Sequence, residues 1–128
     1  MNRLVQWWRP GLLCIGDAAH AMSPVGGVGI NLAIQDAIAT ANILASPLRD
    51  GSLSDRHLQK VQRRRELPTR LTQSAQLALH RLVFERVLTH RGTLSLPPLP
   101  LRILGRHPAL RRIPGYLVGI GLRPEHVH

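Results

Sequence analysis

Residues 11–31, GLLCIGDAAHAMSPVGGVGIN, constrain this 128-residue chain more than any other stretch. An unbroken apolar run, GLLCIG, passes directly into an acid, a histidine, a proline and three closely spaced glycines. The apolar run between glycines has the length and composition of a β-strand buried on both faces. Proline and glycine punctuation makes residues 17–29 a loop. From about Gly29 to Ala45 the period becomes helical, with Ile30, Ala33, Ile34, Ala37, Ile38, Ala41, Leu44 and Ala45 recurring at three- and four-residue steps. Alanines at 33, 37, 41 and 45 give that helix a small-residue face able to approach a neighbour closely. Ser46-Pro47 and Asp50-Gly51-Ser52 are expected to end it.

The order strand, Gly-rich loop, helix is the order found where α/β sheets bind ligands, at the carboxyl end of a strand and the amino end of the next helix. Asp17 stands at the strand exit, where a carboxylate can accept hydrogen bonds from ligand hydroxyls. Gly26, Gly27 and Gly29 permit close approach to something flat or bulky. Amides of Gly29, Ile30 and Asn31 in the first helical turn favour partial negative charge. These features describe a polyol- or anion-binding loop. The run Gly26-Gly27-Val28-Gly29 does not complete the dinucleotide fingerprint, because Leu32 stands where its last glycine would be. No nucleophile elbow and no metal-type His/Asp spacing occurs, so no catalytic or metal-ligating residue is assigned.

The rest of the chain reads as helical. A second helix is expected from Ser54-Asp55 to about Thr89, kinked or restarted at Pro68. The run Arg63-Arg64-Arg65-Glu66 reads as its solvated face. Prolines from Pro97 to Pro124 divide the tail into short pieces, helical around 99–106 and 109–121. Aromatics are few (Trp7, Trp8, Phe84 and Tyr116), so the core must come from aliphatic side chains. Cys14 is the only cysteine and, among Leu12, Leu13 and Ile15, reads as a buried, inert thiol. No stretch reads as long enough for a membrane span, and the N-terminus lacks a signal-peptide h-region. The formal charge of +10, with Lys60 the only lysine, raises nucleic acid, anionic lipid or an acidic partner as candidates. It also suits a simply arginine-rich, lysine-poor composition, or acidic sequence elsewhere that balances it, and these two together are the favoured reading.

Residues 11–45 resemble the second flavin-binding motif of the FAD-dependent aromatic-hydroxylase family, which includes p-hydroxybenzoate hydroxylase-like and ubiquinone-biosynthesis hydroxylase-like monooxygenases. The pattern is Gly-Asp-Ala-Ala-His, then Pro, then Gly-x-Gly-x-Asn, then Asp-Ala on a small-residue helix. The tail GIGLRPEHVH is also similar to the C-terminal end of bacterial members. The resemblance is strong over residues 9–46 and weaker beyond. It implies FAD as cofactor, with Gly16, Asp17, Ala18, Pro24, Gly26, Gly27, Gly29, Ile30 and Asn31 forming its contacts. Asp17 would meet the ribityl or phosphate region, and Pro24 to Gly29 would lie along the isoalloxazine ring. Amides at Gly29, Ile30 and Asn31 would approach its pyrimidine side. His20 is either a loop-ordering residue or a structural histidine bonded to nearby backbone. Asp36 and Asn42 are read as supporting or packing residues, and Met22 as filler beside the cofactor.

The resemblance further implies an FAD/NAD(P)-binding Rossmann-like domain, of which this chain holds an α/β fragment that is mainly helical. Residues 1–46 would be the C-terminal strand–loop–helix of the FAD-binding domain and residues 47–128 a C-terminal helical region, with no complete domain present. The Gly-x-Gly-x-x-Gly βαβ unit and the substrate-binding sheet of the family do not occur here. The expected partners are therefore FAD, NAD(P)H, a small organic substrate (aromatic or quinone-like) and the N-terminal remainder of the enzyme. The setting expected is the cytoplasm, with peripheral membrane contact as a variant. Two alternatives stand beside this reading. One is a non-catalytic truncated remnant; the other is a basic helical module binding nucleic acid or anionic membrane. The lack of interleaved aromatics argues against nucleic acid.

Overall fold

The computed structural model describes residues 2–24, 27–89 and 123–127. Two short antiparallel pairs precede two long helices. Strand β1 (Asn2–Arg3) pairs with β4 (His20–Ala21) in the register Asn2↔Ala21 and Arg3↔His20. Strand β2 (Trp8–Arg9) pairs with β3 (Leu12–Leu13), Trp8 opposite Leu13. Pro10-Gly11 closes this hairpin, with Gly11 at φ +76°, the left-handed value that the third position of a type II turn demands. Helix α1 spans Val28–Arg49 and α2 spans Asp55–Thr89.

The apolar run 11–16 is thus not a strand buried on both faces. Only Leu12–Leu13 is extended and paired, and Leu12 is 55% exposed. The physical reason is its single hairpin neighbour: Leu13 packs towards the core while the other face meets no covering layer. Cys14, expected to be buried, is a half-buried free thiol for the same reason.

Helix α1 begins one residue earlier than the periodicity indicates and runs through Ser46-Pro47. It stops at Asp50-Gly51, where Gly51 takes φ +65° and its amide and that of Asp50 turn back to Leu48 and Ser46. Its 22 residues are long and apolar enough to cross a membrane by length and composition, which corrects the expectation that no stretch is. Its inward stripe nevertheless carries Gln35 and Asp36 beside Leu32, Ala39 and Leu44. The opposite face is open: Ile30 is 72% and Ile34 53% exposed, and Ala37, Ala41 and Ala45 lie with them. Of the small-residue face, only Ala33 is closely approached, by Gly16.

Helix α2 starts with Ser54 bonded to the His57 ring. The Ser54 amide donates to His57 Nδ1 at 3.2 Å, the place a Glu takes in a capping box. The helix continues through Pro68 without a restart, Thr69 and Thr72 returning their hydroxyls to the Arg65 and Pro68 carbonyls at 2.8 Å. Its buried positions are Leu58, Val61, Gln62, Arg65, Pro68, Thr69, Gln73 and Gln76, so beyond Val61 the buried stripe is polar apart from Pro68. Leu67, Leu71 and Leu77 point outward. Among the described residues the apolar core is small: Leu44, Leu58 and Val61, flanked by Trp8, Leu13 and Ile43. The tail helices expected at 99–106 and 109–121 lie outside the described residues.

Trp7 is the largest buried side chain and ties the hairpin to α2. Its amide donates to Gln62 Oε1 at 3.0 Å, while Gln62 Nε2 donates to the Val5 carbonyl at 2.9 Å. One side chain therefore satisfies two backbone groups of the segment that leads into the hairpin. Gln62→Ala should cost about 1–3 kcal/mol by leaving the buried Trp7 amide unpaired. Urea unfolding followed by tryptophan fluorescence reads this as a lower midpoint at unchanged slope, and an unchanged midpoint would refute the assignment.

Candidate cofactor site

The loop is built on glycine. A 3-10 turn over Gly16–Ala18 follows the hairpin, with Gly16 at φ +57°. A Cβ there would also meet the Ala33 Cβ at 3.1 Å, so both the backbone angle and the approach of α1 exclude a side chain. The close approach lets the Gly16 amide donate to Asp36 Oδ2 at 3.1 Å.

Asp36 is the hub. His20 Nε2 lies 2.5 Å from Oδ2, and Arg65 Nε donates to Oδ1 at 2.8 Å. The Arg65 guanidinium goes on to Gln35 Oε1 at 3.1 Å and to the Arg123 carbonyl at 3.2 Å, with Glu125 Oε1 at 3.6 Å. Arg64 holds both oxygens of Glu125 at 2.8 Å, and Asn42 Nδ2 donates to the His126 carbonyl at 2.6 Å. Asp36 and Arg65 are 0% exposed. The arginine run is therefore not simply a solvated face. Arg63 faces solvent, Arg64 is half-buried, and Arg65 is the buried counter-ion of the loop. His20 is held by a carboxylate rather than by backbone and packs its ring on Trp7, centroids 4.9 Å apart.

Burial pushes the Asp36 carboxyl up, but hydrogen bonds from His20 and Arg65, the His20 charge and the Gly16 amide outweigh it and hold the group below its ordinary value of 3.8. Glu125 follows the same pattern: burial raises it, and Arg64, with help from Arg65 and Arg123, brings it below 4.5.

A cleft of about 620 Å³ opens between this loop and the first turns of α1, within the size range of small-molecule sites. Asp17, Pro24, Gly27, Gly29 and Ile30 of the expected contact set line it, with Met22, Ser23, Ala33, Ile34 and Ala37 completing the walls. Ala18 instead lines a smaller neighbouring cleft of about 160 Å³, which also borders Asp17. Gly16 lies behind the loop against Ala33, and Gly26 lies outside the described residues. Because α1 begins at Val28, helical geometry gives the Asn31 amide to the Gly27 carbonyl. The first-turn amides without an intrahelical acceptor are then those of Val28, Gly29 and Ile30. Gly27, the N-cap at φ +64°, supplies no side-chain cap, and no acid stands in the first turn. A Cβ on Gly27 would project into open space, whereas one on Gly29 would press Met22 Cβ at 3.3 Å.

These residues fit one side of a flavin. Small and aliphatic walls suit a flat ring, the uncapped helix start suits its electron-rich edge, and Asp17 supplies an acceptor for hydroxyls. Sequence comparison bears on the cofactor. Residues 1–75 match the family described as FAD binding domain. The chain is 40% identical over 108 residues to 6-methylpretetramide 4-monooxygenase of Streptomyces rimosus, covering 84% of this chain and 25% of that protein. It is 40% identical over 74 residues to aklavinone 12-hydroxylase DnrF of Streptomyces peucetius, 57% of this chain and 15% of that protein. It is 44% identical over 55 residues to the FAD-dependent monooxygenase ltmM of Epichloe festucae (strain Fl1), 42% of this chain and 12% of that one. No solved structure matches significantly. The chain belongs to the FAD-binding-domain family, whose cofactor is FAD.

Arg65→Met leaves Asp36 buried without its guanidinium, and should cost about 3–5 kcal/mol at neutral pH. The acid limb gives a second reading. Asp36 and Glu125 have lowered folded-state values, so their stabilisation is present above the ordinary carboxylate values and is lost as pH falls through the lowered ones. Stability of the unaltered chain, followed by urea midpoint, should therefore decline below about pH 4.5, and the decline should be shallower in Arg65→Met. Parallel acid limbs in the two proteins would count against the network.

Proposed function

We propose that this chain is the flavin-contacting C-terminal part of an NAD(P)H-using, FAD-dependent monooxygenase that hydroxylates an aromatic or quinone-like organic substrate. The observation that carries the reading is the apolar cleft at the uncapped start of α1 with Asp17 at its edge. The share of the relatives that is matched supports the word "part", since the chain spans 25% of the length of the Streptomyces rimosus protein. The open face of α1, Ile30, Ile34 and Ala37, supports it too, because an apolar face next to a ligand cleft suits a second layer of the same domain. The proposed setting is cytoplasmic.

When bound, the flavin supplies the redox chemistry, accepting hydride and activating oxygen. The residues of this chain bind and orient it. Asp17 accepts hydrogen bonds from hydroxyls of the cofactor chain. Gly27 and Gly29 let backbone come against the ring plane, with Met22 and Ile30 excluding water from it. The amides of Val28, Gly29 and Ile30 place partial positive charge against the ring edge that becomes electron-rich on reduction. Gly16 and His20, both fixed to Asp36, hold Asp17 between them and so reduce the ordering cost of binding.

A chimera tests this reading. The matching segment of 6-methylpretetramide 4-monooxygenase is replaced by this chain, and the purified product is examined for bound flavin by its visible spectrum. The expected result is a yellow protein that oxidises NADPH or NADH. Asp17→Ala in the same chimera should weaken FAD retention by about tenfold or more, the loss expected for hydrogen bonds to a charged group. A folded chimera that is colourless and stays so with added FAD would overturn the proposal.

A further inference from the structure

Away from the cleft described above, a second opening of about 420 Å³ lies between β1 and α2, lined by Asn2, Arg3, Arg70, Gln73, Ser74 and Leu77. It holds two guanidinium groups and no carboxylate. Arg70, Gln73, Ser74 and Leu77 are spaced three, four and seven residues apart, so one face of α2 forms its wall.

Arg3 is positioned by a neutral group. Its Nη1 donates to Gln73 Oε1 at 3.1 Å. Gln73 is itself buried, and its Nε2 spans the Asn2 and Ala21 carbonyls at 3.3 Å each. Those two acceptors fix which end of the amide is nitrogen, and so oblige the oxygen to face Arg3. The guanidinium is thereby oriented without being neutralised. Among the described residues neither Arg3 nor Arg70 takes part in an ion pair; the ion pairs there are those of His20, Arg64 and Arg65 with Asp36 and Glu125. Asp17 borders the smaller cleft on the other side of Arg3 but makes no ion pair with it. A buried glutamine that holds an uncompensated arginine beside a second arginine, a hydroxyl and an amide presents donors to a ligand that brings its own negative charge.

We propose that this opening is an anion subsite in which Arg3 and Arg70 take a phosphoryl group, with Ser74 and Asn2 completing its hydrogen bonds. The inference does not depend on the flavin reading. The phosphoryl group has two sources, the diphosphate of the flavin cofactor or that of a separate phosphorylated ligand. Asn2 and Arg3 border both this opening and the smaller cleft that reaches Asp17.

The test uses the full chain and inorganic pyrophosphate, titrated by calorimetry at low ionic strength. Saturable binding is expected, weakened about tenfold in Arg70→Gln, where one charged donor is lost. Arg70 is exposed, so this variant leaves the fold intact; Arg3→Gln, which also disturbs the Gln73 contact, should weaken binding at least as much. Riboflavin, which has no phosphate, should not compete. Displacement of pyrophosphate by FAD identifies the cofactor as the source, and undisturbed binding in the presence of FAD identifies a separate ligand. Absence of saturable binding, binding matched by chloride of equal ionic strength, or binding unchanged in Arg70→Gln overturns the proposal. Failure of the chimera to hold flavin, with pyrophosphate binding intact, would reject the flavin reading and leave this one standing.

Discussion

One carboxylate organises the described part of this protein. Asp36 is fully buried, and its two oxygens receive the Gly16 amide, the His20 ring and the Arg65 guanidinium. Moving a charge pair out of water costs several kcal/mol per ion, and attraction repays it only where the remaining donors and acceptors are satisfied. Here most of them are: Arg65 spends its other nitrogens on Gln35, the Arg123 carbonyl and Glu125, while His20 Nδ1 is buried without a hydrogen-bond partner among the described residues. The arrangement joins four separate pieces of chain, namely the loop, α1, α2 and the C-terminal segment. Its value for the site lies in where the loop contacts fall. Gly16 and His20 bracket Asp17, Ala18 and Ala19, and both are pinned to the same oxygen. Asp17 itself stays exposed at the edge of the cleft while its backbone is fixed from both sides.

The motif was legible in the sequence, and its setting was less so. Punctuation by glycine and proline located the loop, and the order strand, loop, helix located the cleft at the start of α1. The helix boundaries of α2 followed from Ser54-Asp55 and from the period up to Thr89. Periodicity failed where the buried face is polar. After Val61 the inward positions of α2 are Arg65, Thr69, Gln73 and Gln76, whereas Leu67, Leu71 and Leu77 face outward. A rule that turns leucines inward chooses the wrong side of such a helix, and in a run of three arginines nothing marks the one that is buried. A usable signal exists after the fact: Val61, Arg65, Thr69 and Gln73 recur every four residues. Such a stripe has meaning only once a buried acid is known to face it. The unbroken run 11–16 failed for a different reason, because double burial requires layers on both sides of a strand and the described residues supply one.

The inverted pattern bears on what surrounds these helices. Polar groups packed inside and aliphatic groups displayed outside is an arrangement that water disfavours for an isolated helix pair. It becomes favourable when the outer aliphatic surface is itself covered. On the proposed reading, the faces of α1 and α2 that show Ile30, Ile34, Leu67 and Leu71 meet the remainder of the flavin domain, and the polar seam between α1 and α2 fixes the angle at which they do so. The apolar core of Leu44, Leu58 and Val61 is too small to set that angle, whereas the directional bonds of the Asp36 hub can. Specific geometry at the cleft is thus derived from hydrogen bonds rather than from packing volume.

The same distribution changes the meaning of the charge. A surplus of +10 suggests a uniform basic surface, yet the arginines differ in environment. Arg64 and Arg65 are engaged by Glu125 and Asp36 and contribute little to the outer field. Arg3 and Arg70 are displayed in an opening without an acid, one of them fixed by a buried amide. Positive potential in a concave, partly desolvated opening acts on a ligand far more strongly than the same charge on a convex helix face, where salt screens it within about 10 Å. Location therefore matters more than the total. The uncapped start of α1 and the Arg3–Arg70 opening both favour ligand groups of negative charge, and Arg3 also borders the smaller cleft that reaches Asp17. On the two proposed readings, the exposed Asp17 and these electropositive openings together suit a ligand that combines hydroxyls with anionic groups.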